Sequence, residues 1–294
     1  MKVRAFAKLN LSLRVLGLRA DGYHELRTVF QSIELHDTLT VRAVRGPLRL
    51  TCDDPACPVD DTNLVWRAAD RLWRASGRRG RARGVAIDLK KQIPMQAGLG
   101  GGSSDAAAAL VALAALWKLR GRHVHDTAQA IGADVPYFLE GGTVLGLERG
   151  NLLFPLPDDP AAWVVVVVPP FGVSTAEAYG WWDAAEGRPQ PRAANDLQAP
   201  VVRRHPEIGR LVRALTTGGA FHAAMSGSGS AVFGLFRSRA GAERAGRLLA
   251  GGPAGARRHV LVTRTLNRAA YQRLAGLARH RIHLPFAPRG LHCI

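Results

Sequence analysis

The amino-acid sequence predicts an α+β protein with a candidate domain boundary near its middle. Three observations carry this. Strand-like and helix-like segments succeed one another without an internal repeat, a glycine-rich run sits between a strand and a helix, and prolines with Asp158 and Asp159 break the periodicity from Pro155 to Pro160. A chain of 294 residues, 47% of them hydrophobic, suffices for one large or two ordinary buried cores.

Val3 to Leu16, Thr28 to Leu35 and Thr38 to Val44 alternate polar with apolar residues and read as strands. Asn63 is an N-cap for a helix to Ala75, in which Leu64, Val65, Ala68, Ala69 and Leu72 recur at helical spacing. Val85 to Leu89 is a strand running straight into the glycines. Helices follow from about Ser104 to Leu119 and from Asp126 to Ile131, then GADVPYFL and a strand from Gly141 to Leu147. Past the break, the unbroken apolar run Trp163 to Val168 has the length of a core strand and is closed by Pro169 and Pro170. The rest reads as a helix Ser174 to Asp183, a proline- and arginine-rich loop, a helix Glu207 to Leu215, a strand Ser230 to Phe236, a helix Ala240 to Leu249 and a strand Val260 to Thr265.

The N-terminus MKVRAFAKLNLSL lacks an apolar h-region and a cleavage site, and no apolar segment approaches roughly 18 residues, so the expectation is a soluble cytoplasmic protein without a membrane partner. Cys52, Cys57 and Cys293 are odd in number and lack C-x-x-C spacing, which suggests neither a disulfide framework nor a zinc site. A net charge of +17 admits a nucleic-acid partner. The arginines are scattered, however, with one local cluster at Arg78, Arg79, Arg81 and Arg83, and an anionic small substrate suits the same field.

The stretch PMQAGLGGGSSDAAAAL, residues 94–110, sets Gly98, Gly100, Gly101 and Gly102 against a run of alanines. Glycine costs about 1 kcal/mol relative to alanine in a helix, so helical propensity gives no reason for this order. Two readings stand: a flexible connection with Ser103 or Ser104 as helix cap, or a backbone concavity for phosphate at a helix N-terminus. The P-loop pattern fails because no lysine follows the glycines. The dinucleotide fingerprint fails because its third glycine falls on Ser103.

The stretch resembles the phosphate loop of the GHMP kinases, the superfamily of galactokinase, homoserine kinase and mevalonate kinase, through Pro94, Gly98, Leu99, Gly100, Gly101, Gly102, Ser103 and Ser104. Further blocks fall in the order of the branch that acts on a cytidine diphosphate-linked methylerythritol: AKLNLSL, ADGYHEL, NLVWRAA, GADVPYFL, FGVSTAEAY, the pair Asn195 and Asp196, and MSGSGSAVFGLF. The resemblance spans about residues 3 to 267. It implies an N-terminal lobe like ribosomal protein S5 domain 2 over 1–157, a ferredoxin-like lobe over 158–267, and a basic extension of unknown role over 268–294, carrying Arg273, Arg279, Arg281 and Arg289.

The implied activity is phosphoryl transfer from ATP to the C2 hydroxyl of that small-molecule substrate, with Mg²⁺ bridging phosphate oxygens. Such chemistry needs a phosphate cradle, charge neutralisation and a proton acceptor. The resemblance assigns Asp134 as base and Lys8 as the cation on the hydroxyl. By itself Asp134 is equally a cap for a short helix through Val135 and Pro136. Period-two geometry points Lys8 and Asn10 to one face, and the resemblance gives Asn10 to the substrate hydroxyls. It gives Tyr23 and His24 to cytosine, Tyr179 or Trp181 to a second stacking ring, Asn63, Leu64 and Lys91 to the adenine side, and Ser226, Gly227 and Ser228 to site closure. Asp105 follows the loop, yet no clear carboxylate ligand for Mg²⁺ emerges. Other GHMP small-molecule kinases, and a non-catalytic basic nucleic-acid-binding relative, are the alternatives. A monomer or homodimer is expected.

Overall fold

The computed structural model describes residues 1–119, 121–185, 193–251 and 258–277. Two long strands open the chain, β1 (Lys2–Leu18) and β2 (His24–Pro47), paired antiparallel across a tight turn in which Asp21 Oδ1 accepts the Tyr23 N–H at 3.1 Å. Then come β3 (Arg49–Cys52), α1 (Leu64–Ala75), β4 (Arg83–Lys90), α2 (Gly101–Trp117), α3 (Gly121–Ile131), α4 (Tyr137–Glu140), β5 (Thr143–Glu148) and β6 (Leu152–Pro155). These strands form one sheet of order β3-β4-β2-β5-β6, with β1 on β2. From Ala106 to Ala114 helix α2 is apolar around its circumference because it is almost wholly buried there, packing against α1, β1 and β2.

The second lobe holds β7 (Trp163–Val168), α5 (Thr175–Asp183), α6 (Gln198–Arg204), α7 (Pro206–Thr217), β8 (His222–Met225), β9 (Val232–Phe236), α8 (Arg239–Ala250) and β10 (His259–Arg264). Its antiparallel sheet has the order β10-β7-β9-β8, the ferredoxin-like arrangement. The unbroken valines of β7 have a structural cause: Val165 and Val167 face this lobe's helices, while Val164 and Val166 face the other lobe, so both surfaces are buried.

Strand β1 threads all the cores. Val3, Ala5 and Phe6 lie in the first lobe's core, Ala7 and Leu9 in the seam, Leu13 and Val15 in the second lobe's core. Its register slips between Phe6 and Lys8 and again between Asn10 and Ser12. Such bulges re-aim side chains, and the regular step between them carries Lys8 and Asn10 into the junction of the lobes.

Several expectations are corrected. The two strands expected over 28–44 are one, because Asp37, whose charge breaks the alternation, is wholly buried on partners from the β4–α2 connection. The short elements β3, β6, β8 and α6 escape the sequence patterns. Within the arginine cluster, Arg78 lies over the Trp73 and Trp117 rings and Arg81 pairs with Asp61, while Arg79, Arg81 and Arg83 are exposed. Among the described residues no helix is long and apolar enough to cross a membrane. Cys293, Arg279, Arg281, Arg289 and most of the proline- and arginine-rich loop lie outside the described residues.

The largest correction concerns the tail. The chain returns to the first lobe at Thr265, which bridges Ile33, and forms α9 (Arg268–Leu274). Tyr271, Ala275 and Leu277 are buried in the first lobe's core. The Tyr271 hydroxyl donates to the Phe138 carbonyl at 2.6 Å, and the Arg268 guanidinium lies 3.0 Å from the Glu140 carboxylate. A Cβ on Gly141 would meet the Tyr271 ring at 2.0 Å. Residues 268–277 are therefore built into the lobe that carries Asp134, not appended to it.

Candidate active site

The glycine loop connects β4 to α2, and its glycines answer first to the protein itself. Gly98 has φ +75°, and a Cβ there would lie 2.2 Å from the Ser226 carbonyl oxygen of the second lobe. Gly100, at φ +73°, would strike Phe138 at 2.6 Å and Lys8 Cγ at 3.1 Å. Both positions need a left-handed backbone and no side chain. Helix α2 begins at Gly101 rather than Ser104, because the Gly100 turn starts the coil and a Cβ at Gly101 would press on Ile93 at 3.0 Å. No side chain caps this end, so its first N–H groups and dipole open into a cleft.

Ser103 faces that cleft, and its hydroxyl has no partner among the described residues. Ser104 does not: it is buried, and its hydroxyl donates to the Phe6 carbonyl at 2.7 Å. The side chain expected on ATP instead ties α2 to β1.

Lys8 stands across the cleft, 4% exposed. Its ammonium donates to Asn10 Oδ1 at 2.6 Å, lies 3.6 Å from Asp134 Oδ2 and sits 5.5 Å from the Phe30 ring centre. Asn10 Nδ2 in turn donates to Thr28 Oγ1 at 2.7 Å, and Thr28 to the Ser12 carbonyl at 2.7 Å. Burial lowers the Lys8 pKa from its ordinary value, against the raising effect of Asp134. Asp134 is no helix cap, since α4 carries no side-chain cap bond at its N-terminus. Its carboxylate, 34% exposed, is free to face the cleft.

On the other side of the loop, Lys91 lines the cleft but is held by Asp37 and Asp105, at 2.5 and 2.8 Å. Burial opposes its charge, yet the two carboxylates outweigh it and raise its pKa. Burial likewise raises Asp105, only partly offset by Lys91. Asn63 caps α1 through the Val65 N–H at 2.8 Å and, with Leu64, lines the same end of the cleft.

Tyr23 and His24 line the far end. Tyr23 is exposed, with Arg149 over its ring at 4.9 Å. His24 stacks on Tyr179 at 4.6 Å between ring centres and is oriented by Asp183, 2.8 Å from its Nε2. Of the two candidate stacking rings, Tyr179 lines the cleft. Trp181 packs instead beside His205 and Arg204.

In the late glycine run, Gly227 and Ser228 line the cleft. Ser226 is buried and donates to the Gly98 carbonyl at 2.9 Å, so it stitches the lobes together behind the loop. Asn195 holds this run through the Met225 and Gly227 carbonyls, and Asp196 binds the Val15 N–H and Arg14 on β1.

The cleft has a volume of about 1140 Å³, enough for two substrates end to end, and brings together Lys8, Asn10, Asp134, the Gly98–Ser103 loop with Pro94 and Leu99, and the Tyr23 cluster. Asp183, Thr28, Thr175 and Arg149 also line it and were missed in the sequence. Only Arg149 left a signal there, in the turn residues GLERGN. Among the described residues no group of three or more His, Cys, Asp or Glu is placed to hold a metal ion.

Residues 63–142 match the family model of the GHMP kinases N terminal domain, and residues 185–250 that of the GHMP kinases C terminal. The chain is 42% identical over 288 residues to a 4-diphosphocytidyl-2-C-methyl-D-erythritol kinase of Moorella thermoacetica, an alignment covering 89% of this chain and 98% of that protein. It is 43% identical over 302 residues to one of Solibacter usitatus, covering 92% of each. A crystal structure of 4-(cytidine 5'-diphospho)-2C-methyl-D-erythritol kinase superposes with a TM-score of 0.74 at 36% identity, covering 91% of this chain and 100% of that one.

Proposed function

This chain belongs to the 4-diphosphocytidyl-2-C-methyl-D-erythritol kinases within the GHMP kinase family, and we propose that Asp134 and Lys8 act on the substrate's C2 hydroxyl as it takes the terminal phosphoryl group of ATP. The enzyme is an ATP-dependent small-molecule kinase of isoprenoid biosynthesis. The reading of its site rests on one observation: a carboxylate not spent on a helix cap stands 3.6 Å from a buried ammonium, in the cleft onto which α2 opens. Asp134 accepts the hydroxyl proton. Lys8, steadied by Asn10, holds the hydroxyl oxygen and stabilises charge on the transferring group.

The N–H groups of Gly101 to Ser103 cradle the ATP phosphates, with Asn63, Leu64 and Lys91 toward adenine. Lys91 acts there as a held wall rather than a mobile finger. The cleft fits Mg²⁺ that arrives on the nucleotide, because such an ion needs few protein oxygens and the Ser103 hydroxyl is unpartnered. Ser103 would hold it, and its charge would neutralise the phosphates. We take the enzyme to work in the cytoplasm, as a monomer or homodimer, without a nucleic-acid partner.

A coupled ADP-release assay tests the reading. Turnover is expected with the cytidine diphosphate-linked substrate and not with mevalonate, homoserine or galactose; the reverse preference would sink it. Tyr23 and His24 stack on and read the base. Loss of a stacking ring costs about 1–3 kcal/mol, so Tyr23→Ala should weaken substrate binding about five- to 150-fold by calorimetry. His24→Ala should also erode discrimination between cytidine and uridine analogues. Unchanged affinity in Tyr23→Ala would remove the ring from the base site.

A further inference from the structure

The cations that line the cleft are not equivalent. Lys8 is paired with Asp134, and Lys91 with Asp37 and Asp105. Arg149 also lines it, half-buried, and forms no ion pair among the described residues. Its place is fixed by the β5–β6 turn: Glu148 at φ +57° and Gly150 at φ +90° flank it, and the Gly150 N–H closes the turn on the Leu147 carbonyl at 2.9 Å. The turn is docked against Phe30, since a Cβ on Gly150 would lie 3.4 Å from that ring. Phe30 is also the ring 5.5 Å from the Lys8 ammonium. The turn thus sits against the Phe30 wall beside the reacting centre, and from it Arg149 reaches the Tyr23 ring, over which its guanidinium sits at 4.9 Å.

We infer that Arg149 binds the diphosphate of the substrate and selects a nucleoside diphosphate over a neutral nucleoside. The inference rests on the functional reading above, in which Tyr23 takes the base and Lys8 the reacting hydroxyl. A nucleoside diphosphate-linked alcohol carries its phosphates next to the base, on the side of the reacting hydroxyl, and this guanidinium lies at the Tyr23 ring on a turn docked against Phe30. A planar guanidinium presents paired N–H donors that match phosphate oxygens; Asp21 feels its charge through space, but no carboxylate among the described residues lies within ion-pair distance of it to occupy those donors. Resting on Tyr23 orders the side chain before substrate arrives.

The test compares CDP and cytidine as probes, by calorimetry, on the full chain. The wild type should bind CDP more tightly than cytidine by about ten- to hundredfold, the span of hydrogen bonds to charged groups. Arg149→Ala should bring the two within a few-fold of each other, with the loss falling on CDP. Arg149→Lys keeps a point charge without the fork and should fall between. In turnover, the KM for the cytidylyl substrate should rise while that for ATP does not. Equal loss of both probes in Arg149→Ala would make the side chain a prop for Tyr23 and overturn the inference. So would a CDP preference that survives in both variants. A wild type that does not phosphorylate the cytidylyl substrate would instead overturn the functional reading, whatever the probes do.

Discussion

Asp134→Asn should lower kcat by about 10²–10⁴-fold while substrate affinity stays within a few-fold of the parent. The asparagine keeps the size and most of the hydrogen bonding of the carboxylate, so the cleft should stay in shape. It cannot accept the hydroxyl proton. It also withdraws the charge that opposes burial at Lys8, whose pKa is lowered by desolvation and raised by Asp134, so the cation weakens as the base disappears. Steady-state kinetics by ADP release, with calorimetry for binding, separates the two quantities. Near-normal kcat would reduce Asp134 to a partner of Lys8.

Lys8→Met should cost kcat a comparable order, because a cation on the transferring group is lost. Its stability should move differently. The folded pKa of Lys8 lies below its ordinary 10.5, so between the two values the unfolded chain binds the proton more tightly. Wild-type stability then rises with pH across that window, and the methionine variant lacks the rise. Thermal unfolding at several pH values checks the sign: the wild type should gain on Lys8→Met as pH increases toward 10.5.

What the sequence reveals of this site is what local spacing dictates. Period-two alternation puts Lys8 and Asn10 on one face, and their 2.6 Å hydrogen bond is the result. The glycine run reads as a loop that nothing bulky can enter, though the cause at Gly98 and Gly100 is partly protein against protein, from residues 226 and 138. Where a side chain's partner is remote, the sequence is silent. Asp37 looks like a strand break until Lys91, 54 residues on, is placed beside it. Ser104 looks like a phosphate serine and Ser226 like part of the turn that closes the site, and their hydroxyls are spent on carbonyls 98 and 128 residues away. Arg149 shows in the sequence only as part of the turn GLERGN, and its place at Tyr23 emerges when that turn docks.

The same remoteness hides the role of the C-terminal helix, and cutting the chain after Asn267 tests it. The basic composition past Arg268 suggests a dispensable tail, whereas the packing predicts a large loss. The cut removes Tyr271, Ala275 and Leu277 from the first lobe's core, and leaves a space against Gly141 and Gly142, whose missing Cβ atoms are what admit Tyr271 and Arg268. Deleting one large buried aromatic side chain typically costs about 3–5 kcal/mol. It also strips Glu140 of Arg268, leaving a buried carboxyl whose pKa burial already raises, and leaves the Phe138 carbonyl without its donor. Against a total stability of about 5–15 kcal/mol the truncated chain should unfold at least about 10 °C lower, or fail to accumulate in soluble form. Because α4 begins three residues after Asp134 and rests on Tyr271, kcat should fall before folding is lost. Tyr271→Phe in the full chain keeps the packing and removes only the bond to Phe138, so it should lower the melting temperature by a few degrees; Tyr271→Ala should approach the truncation. A truncated enzyme that melts within about 2 °C of the parent and keeps its kcat would return residues 268–277 to the status of an appendage.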